Sequence, residues 1–388
     1  MTKFIDIKLS TLKVDGESIT RRPPREKKDQ QRNYLELFDF NTIFSDMYYT
    51  ESGIQLLGPP LLNLKGPLIS GKVLLENVDI SSSLSCIEKN RISKVQYSCE
   101  NRESSFIDFD TDISNDILLI QPNLSKFFKD KNVLVTQQKN NSLYWIAFWL
   151  EFHIKHHNIN SVIIYDNGST TYSIDDIKNT IRLFSEIEIA SVVQWDIPWG
   201  PTGGHNSVWD SDFGQHQSWE HAFSRCLSES NCAIFGDIDE FPVSEKGVAI
   251  PELISSIDEP VLSYKRRQIV EVNTDTYTDY GIRLPSDTGY YEADNHEIAP
   301  KYAINPKKLS NSASLMAHQV LNAKSFKTED IVSRHMGNMR IDWRNQRFEP
   351  IEIKEFESFS NLLKDTQLQL AFACLQLDWL EKINLLDE

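Results

Sequence analysis

Three carboxylates and an aromatic residue end a short apolar segment at residues 233–241, AIFGDIDEF. The apolar half predicts a buried strand. Because ionised carboxylates are costly to desolvate, we expect Asp237, Asp239 and Glu240 where that strand emerges into a cleft. Strand alternation would turn Asp237 and Asp239 to the same side. Two like charges so close favour a hard divalent cation, Mg²⁺ or Mn²⁺, which usually bridges to substrate phosphates. A solvated acidic turn would have the same short motif, so the surrounding elements must decide.

The elements around this segment predict a parallel α/β sheet. Apolar runs indicate buried strands, and amphipathic segments between them indicate helices. Alternation of this kind implies parallel strands joined by right-handed crossovers. The predicted strands are residues 133–136, 161–166, 189–195 and 233–237, and the predicted helices are 142–157, 173–186 and 215–228.

Ligands bind such sheets at the carboxyl ends of the strands, and polar residues of this chain cluster there. Asp166 and Asn167 follow the second predicted strand and Asp237 follows the fourth, and we place Thr136 of the first strand in the same nucleotide site. Asp166 would accept from a ribose hydroxyl or a base edge, while Asp237 and Asp239 would hold a metal on a diphosphate. No G-x-G-x-x-G or P-loop motif lies near these strands, which disfavours a classical dinucleotide or P-loop enzyme.

Composition sets the outer limits of the interpretation. The 388 residues are 40% hydrophobic and 25% charged, which is typical of a globular chain of two or three domains. The net charge of -16 argues against a nucleic-acid partner. Five scattered cysteines without a C-x-x-C pair predict neither a disulfide framework nor a zinc site. No apolar stretch approaches the length of a membrane-spanning helix, so a cytoplasmic protein is expected.

Three regions follow from these patterns. Residues 1–130 predict a small β-rich domain, residues 131–345 hold the α/β pattern, and residues 346–388 predict a C-terminal helical segment that packs on the domain or on another subunit. The basic stretch RRPPREKK at 21–28 predicts a solvated loop, with a weak peripheral contact to the inner face of an anionic membrane as the alternative.

Four motifs, in this order, resemble those of the glycosyltransferase family 92 group and its bacterial relatives, the DUF23 and glycosyltransferase 2-like families. They are WLEFH at 149–153, IYDNGS at 164–169, residues 217–225 and DIDEF at 237–241, and the resemblance covers residues 133–344. It implies a GT-A fold with a mostly parallel sheet between helices, a nucleotide-sugar donor, and Mn²⁺ or Mg²⁺ at the D-x-D. Many relatives carry Glu just before the first-helix Trp, where this chain has Phe148.

The resemblance also extends to cations and histidines nearer the C-terminus. Lys301, followed by His318, is similar to the family's Lys-then-His pattern. The segment around His335 resembles the histidine segment that completes the metal site in many GT-A enzymes, so His335 is the candidate ligand and His318 the alternative. Lys301, Arg340 or Arg344 would neutralise the donor diphosphate.

An inverting reaction needs a carboxylate that deprotonates the acceptor hydroxyl. Glu292 and Asp294, in the acidic loop at 274–300, are candidates, and Glu240 beside the D-x-D is a third. The aromatic loop at 195–213 suits either an acceptor platform or a loop pinned down by its tryptophans.

The sequence therefore favours a glycosyltransferase that moves a sugar, expected to be UDP-linked, to a glycan or lipid-linked saccharide acceptor in surface polysaccharide synthesis. A metal-dependent phosphohydrolase would use the same carboxylates. A non-catalytic glycan-binding protein would carry the D-x-D as a vestige.

Overall fold

The computed structural model describes residues 1–16, 19–100, 105–270, 272, 283–293, 298–339 and 361–384. In chain order its strands are Lys3–Phe4 (β1), Leu12–Lys13 (β2), Thr42–Phe44 (β3), Asp46–Thr50 (β4), Gly53–Gly58 (β5), Lys72–Leu75 (β6), Val78–Asp79 (β7), Ser85–Glu88 (β8), Ser93–Ser98 (β9), Phe106–Asp110 (β10), Asn115–Leu119 (β11), Asn132–Gln138 (β12), Ser161–Asp166 (β13), Ile189–Gln194 (β14), Cys232–Phe235 (β15), Glu240–Ser244 (β16), Val261–Ile269 (β17), Tyr290–Glu292 (β18), Ile298–Ile304 (β19), Ser314–Leu315 (β20), Val320–Leu321 (β21), Ser325–Met336 (β22) and Leu362–Lys364 (β23). The α-helices are Tyr34–Leu37 (α1), Lys65–Ser70 (α2), Leu143–His157 (α3), Ile174–Arg182 (α4), Phe213–His221 (α5), Ile250–Ser256 (α6), Thr366–Ala373 (α7) and Leu380–Asn384 (α8).

The chain divides into two compact units, and the first comprises Met1–Asp6, Phe128–Gln194 and Glu229–Glu388. Among its described residues, nine strands form a sheet in the order β1-β14-β13-β12-β15-β19-β17-β22-β16. The five strands from β1 to β15 are parallel, whereas β19 runs antiparallel to β15 and β17, and β22 runs parallel to β17 but antiparallel to β16. The predicted α/β class with parallel strands is therefore confirmed, with an antiparallel extension that the alternation did not predict.

Serine caps begin both crossover helices of this sheet. The Ser142 hydroxyl accepts the N–H of Tyr144 at 3.3 Å at the start of α3. At α4, the Ser173 hydroxyl accepts the Asp176 N–H while the Asp176 carboxylate accepts the Ser173 N–H, which forms a capping box at the start of the predicted helix. Both caps satisfy amide groups that have no partner within the helix.

Helix α3 is buried along most of its length, and Phe148 shows why this position is apolar in this chain. Its ring meets those of Phe241 and Phe372 edge-to-face, at centroid distances of 5.7 and 5.0 Å. Phe241 belongs to β16 and Phe372 to α7, so Phe148 makes a core contact among three elements.

The described part of the C-terminal tail begins as strand β23 and continues as helices α7 and α8, and Asp365 ties it to the large sheet. Asp365 Oδ1 accepts the N–H of Leu368 at 3.0 Å as the cap of α7, while Oδ2 lies 2.9 Å from Arg334 Nε and 2.9 Å from Arg267 Nη1. Burial opposes ionisation of this carboxyl, but the two guanidinium groups outweigh it and lower the pKa of Asp365. A single carboxylate thus fixes the start of α7 against β17 and β22.

The second unit comprises Ile7–Phe127 and Trp195–Ser228, and among its described residues it contains the four-stranded sheets β4-β5-β9-β8 and β11-β10-β6-β7. The long segment between β14 and β15 therefore groups with the N-terminal strands. Trp195 and Trp199 of this segment are buried, whereas Trp209 is 48% exposed. Burial of the first two tryptophans matches a loop that they pin down.

Helix α5, within that segment, is buried on every side although six of its nine residues are polar. Buried partners explain this. Asp46 Oδ2 lies 2.9 Å from His221 Nε2 and 2.7 Å from Arg225 Nη1, and Lys94 Nζ lies 2.5 Å from Glu220. The helix continues as a π-helix over Ala222–Leu227, which carries Arg225. Burial lowers the pKa of His221, so its contact with Asp46 is a hydrogen bond of a neutral ring. This bond and the Lys94–Glu220 ion pair supply the partners that the buried polar face of the helix needs.

The basic stretch at 21–28 is partly used inside this unit. Arg21 is fully buried and donates to the carbonyl oxygens of Pro60 and Asp39 at 2.8 and 2.7 Å. Arg25 pairs with Asp210 at 2.7 Å. Fewer cations of this stretch can therefore contact an anionic membrane than the sequence suggested. Among the described residues, no helix combines the length and apolar character that crossing a bilayer requires.

Replacement of Asp365 by Ala should destabilise the protein strongly, because it leaves Arg334, which is 1% exposed, buried without its carboxylate. We expect the free energy of unfolding in urea to fall by about 3–5 kcal/mol. The control is Asp330→Ala, which removes a pair with the exposed Lys246 and should cost less than about 1 kcal/mol. Similar losses for both variants would contradict this role of Asp365.

His157 should make the fold sensitive to mild acid. Its Nε2 donates to the Pro242 carbonyl at 2.7 Å and its Nδ1 accepts the Ile250 N–H at 3.3 Å, so the buried ring is neutral. Burial lowers the pKa of His157 to about 4 from 6.5, so the unfolded chain binds more protons between these values and stability falls as the pH drops. This residue should contribute a loss of about 2 kcal/mol between pH 7 and pH 5. Urea unfolding at pH 7 and pH 5 measures the loss. We expect a smaller loss in His157→Gln and an unchanged loss in the control His205→Gln, whose histidine is exposed. An undiminished loss in His157→Gln would refute the assignment.

Candidate active site

Strand pairing in the antiparallel extension brings distant residues to one level of the sheet. Glu240 of β16 lies directly opposite His335 of β22, which lies opposite Gln268 of β17. The N–H of Met336 donates to the carbonyl of Asp239 at 2.8 Å, which holds the acidic turn against the same strand. The end of β22 therefore positions the D-x-D segment.

The sequence predicted that strand alternation turns Asp237 and Asp239 to the same side. The structure differs, because these acidic residues do not continue strand β15. The strand ends at Phe235, and the Glu240 N–H donates to the Asp237 carbonyl at 3.1 Å, which closes a turn. Asp237 and Asp239 thus meet different partners.

A buried lysine neutralises the inner half of the turn. Lys301 Nζ lies 3.0 Å from Asp237 Oδ2 and 3.0 Å from Glu240 Oε2. Arg266 Nη1 lies 2.6 Å from the other Glu240 oxygen. Burial of Lys301 disfavours its charge, but the two carboxylates outweigh this and raise its pKa. Lys301 is therefore a fixed cation.

The outer half of the turn faces a histidine. His335 Nε2 lies 3.3 Å from Asp239 Oδ2, and this carboxylate raises the pKa of His335 against the opposing effect of burial. Asp239 Oδ1 is buried and finds no hydrogen-bond partner among the described residues. A buried carboxylate oxygen without a donor is costly unless something else binds it.

These side chains suit a divalent cation. Asp239, Glu240 and His335 each offer one ligand atom, and the three atoms lie within 4.8 Å of one another. Two carboxylate oxygens and an imidazole nitrogen are ligands that Mn²⁺ accepts, and the buried Asp239 oxygen gains a partner if a cation binds. The residues present therefore fit a metal, with Glu240 rather than Asp237 beside Asp239 and His335.

The three carboxylates of the metal-free site face two fixed cations and a histidine. The carboxylates are Asp237, Asp239 and Glu240, the cations are Lys301 and Arg266, and the histidine is His335. These groups reduce the repulsion between acidic residues that the sequence suggested.

His318 lies near the same cations but outside the three-residue donor group. Its Nδ1 lies 3.2 Å from the Pro300 carbonyl oxygen. Burial first, then the charges of Lys301 and Arg266, lower the pKa of His318 to about 3, so this ring is neutral.

The residues predicted for the nucleotide lie at the carboxyl ends of the parallel strands. Asp166 ends β13, and its carboxylate accepts the Ser169 N–H at 3.0 Å and a bond from the Gln138 amide. Asn167 follows Asp166, and its N–H donates to the Gln138 carbonyl oxygen at 2.8 Å. Thr136 is fully buried in β12. The structure thus assigns Asp166 a role in its own turn, and nucleotide contacts of these three residues stay predictions.

The predicted bases and the remaining cations are only partly described. Glu292 is exposed on β18, which pairs with β23, and stays a candidate. Asp294, Arg340 and Arg344 lie outside the described residues.

Sequence reasoning did not assign roles to two residues of this site, Arg266 and Gln268. Both lie on β17, a central strand in which three consecutive cations, residues 265–267, interrupt the apolar pattern. Cations on a buried strand require carboxylate partners on neighbouring strands. The run of three cations was therefore the sequence signal that could have placed Arg266 near the acidic turn.

Comparisons with known proteins give weak structural matches to glycosyltransferases. No protein-family model matches the chain, and no curated protein matches it. The structure of S. aureus TarS 1-349 in complex with UDP-GlcNAc matches with a TM-score of 0.33 and 12% identity over 56% of this chain and 62% of that one. The apo structure of the bifunctional glycosyltransferase WbbM matches with a TM-score of 0.27 and 12% identity over 52% of this chain and 35% of that one. The chain thus spans less than two thirds of these structures, and scores this low do not establish a shared fold or activity.

A matched pair of variants should separate the two aspartates of the D-x-D. Asp239→Asn should weaken Mn²⁺ binding more than about tenfold, because it removes charge from the donor group. Asp237→Asn should weaken it less, because Lys301 already binds that carboxylate. Electron paramagnetic resonance of free Mn²⁺ during titration measures both. A larger loss for Asp237→Asn would contradict the ligand assignment.

Proposed function

We propose that this chain is a metal-dependent glycosyltransferase of GT-A type, which transfers a sugar from a nucleotide-diphosphate sugar to a glycan or lipid-linked saccharide acceptor. The observation that carries the proposal is the group of Asp239, Glu240 and His335 backed by Lys301 and Arg266. Its two carboxylates follow β15, at the edge where the parallel strands β12 and β13 also end, which is the ligand edge of such sheets. The ordered motifs of the sequence support membership of the family 92 and DUF23-like group.

Mn²⁺ or Mg²⁺ would be held by Asp239, Glu240 and His335. Bound there, the ion would offset the charge that develops on the leaving diphosphate. The imidazole must be neutral to act as a ligand. The carboxylates would then face Lys301, Arg266 and a divalent ion, which gives the site an excess of positive charge.

That excess suits a donor that carries a diphosphate. Lys301 and Arg266 each pair with one oxygen of Glu240, so their charges are held in place beside the donor group. Without the ion, the three carboxylates face Lys301, Arg266 and His335, so the site should attract the diphosphate more weakly. We therefore expect metal and nucleotide to increase each other's affinity.

If the reaction inverts, the base that deprotonates the acceptor hydroxyl would be Glu292, Asp294 or Glu240. Two salt bridges hold Glu240, which is 2% exposed, so Glu240 suits a ligand better than a base. The proposed setting is synthesis of a surface polysaccharide at the cytoplasmic side of a membrane, with UDP as the expected nucleotide.

Turnover of nucleotide-sugars with and without Mn²⁺ tests the proposal. We expect Mn²⁺ to stimulate release of nucleoside diphosphate from at least one UDP-sugar, measured by mass spectrometry. His335→Ala should abolish the stimulation, because it removes the only nitrogen among the three proposed ligands, whereas His318→Ala should retain it. Release of inorganic phosphate would instead indicate a phosphohydrolase, and glycan binding without turnover would indicate a binding protein. Loss of stimulation in His318→Ala but not in His335→Ala would reverse the assignment of the histidine.

A further inference from the structure

Gln268 contacts the proposed histidine ligand from the side away from the acidic turn. It lies on β17 opposite His335 of β22, and its Oε1 lies 2.7 Å from His335 Nδ1. The opposite edge of the same imidazole, Nε2, faces Asp239 at 3.3 Å. Gln268 and Asp239 thus hold the ring at its two nitrogens.

The surrounding backbone determines which way the glutamine amide points. Gln268 Nε2 lies 3.0 Å from the His335 carbonyl oxygen and 3.1 Å from the Ile269 carbonyl oxygen. Carbonyl oxygens accept hydrogen bonds and do not donate them, so this end of the amide must be the NH₂ group. Oε1 therefore faces Nδ1, and because an amide oxygen accepts, Nδ1 must carry the hydrogen.

This hydrogen bond determines the tautomer of the neutral ring. A neutral imidazole carries one hydrogen, so Nδ1–H leaves the Nε2 lone pair directed toward Asp239 and the rest of the donor group. We propose that Gln268 is a positioning residue that holds His335 in the Nδ1–H tautomer, with Nε2 available to the metal. The inference rests on the proposed metal site and adds a residue that selects the coordinating atom.

A neutral acceptor also suits the charge balance of the site. Three carboxylates already face the two fixed cations Lys301 and Arg266 here. A glutamate at 268 would add a fourth negative charge and lose both donor contacts to the backbone. The amide supplies the acceptor without changing the net charge.

A titration with Mn²⁺ in the absence of nucleotide tests the inference. Electron paramagnetic resonance of free Mn²⁺ measures the binding. Gln268→Leu keeps the size of the side chain but removes the acceptor, and we expect Mn²⁺ to bind about 10–100-fold more weakly. Gln268→Glu keeps an acceptor at Nδ1 and should bind Mn²⁺ more tightly than the Leu variant. The control is Gln194→Leu, at the exposed end of β14 in the same sheet, which should bind as wild type does.

A double-mutant cycle separates this role from a structural one. In a His335→Ala background, Gln268→Leu should cause no further loss of Mn²⁺ affinity, because the ring through which Gln268 acts is gone. A metal-free readout is the pair of ¹⁵N shifts of the His335 imidazole at a pH where the ring is neutral. We expect a protonated Nδ1 in the wild type and mixed tautomers in Gln268→Leu.

Each failure points to a different error. Wild-type Mn²⁺ affinity in a folded Gln268→Leu variant would overturn the role of Gln268 and leave the metal site intact. An equal further loss in the His335→Ala background would show that Gln268 does not act through His335. If the wild type binds no Mn²⁺, the metal site fails, and this inference fails with it.

Discussion

The buried charge of Lys301 is the constraint on which the site depends. An ammonium group that is 1% exposed is tolerable when carboxylates surround it, and Asp237 and Glu240 supply them from one short turn. The acidic turn also needs the lysine, since two neighbouring buried carboxylates cannot both stay ionised without a cation. Strands β15, β19 and β17 must therefore pair in the observed register for any of these groups to remain charged.

Packing outside the site keeps this register. Arg334 and Arg267 flank the site residues His335, Arg266 and Gln268 in sequence, and both guanidinium groups bind Asp365. The same C-terminal segment contributes Phe372, whose ring meets Phe148 and Phe241. Since Phe241 follows Glu240 directly, apolar packing on one side of β16 and ion pairs on the other hold the carboxylate in place.

Sequence patterns predicted the parallel half of the sheet well, because its signals are local. The run at Ser161–Asp166 is buried throughout and its central residues, 162–164, are aliphatic, as expected of a strand covered on both faces. Ser173 with Asp176 marks the following helix start within four residues. The site was predicted less completely. Its acidic residues were identifiable by type, but whether Asp237 faces a metal or Lys301 depends on pairing between distant strands, which residue periodicity does not encode. Helix α5 shows the same limit, because its buried polar side chains meet partners on distant strands, Glu220 on Lys94 and His221 on Asp46.

The pairing of Glu240 with His335 has a consequence for how the protein is made. The histidine follows its partner by about 95 residues, so at about 5–20 residues per second the ribosome needs roughly 5 to 20 s to supply it. Lys301 emerges within that interval and can neutralise Asp237 and Glu240 before Asp239 has a partner. A nascent chain that ends between the two has the cation for the inner half of the turn but lacks the histidine for the outer half. The proposed metal-binding group is therefore completed late in synthesis, after most of the sheet has been made.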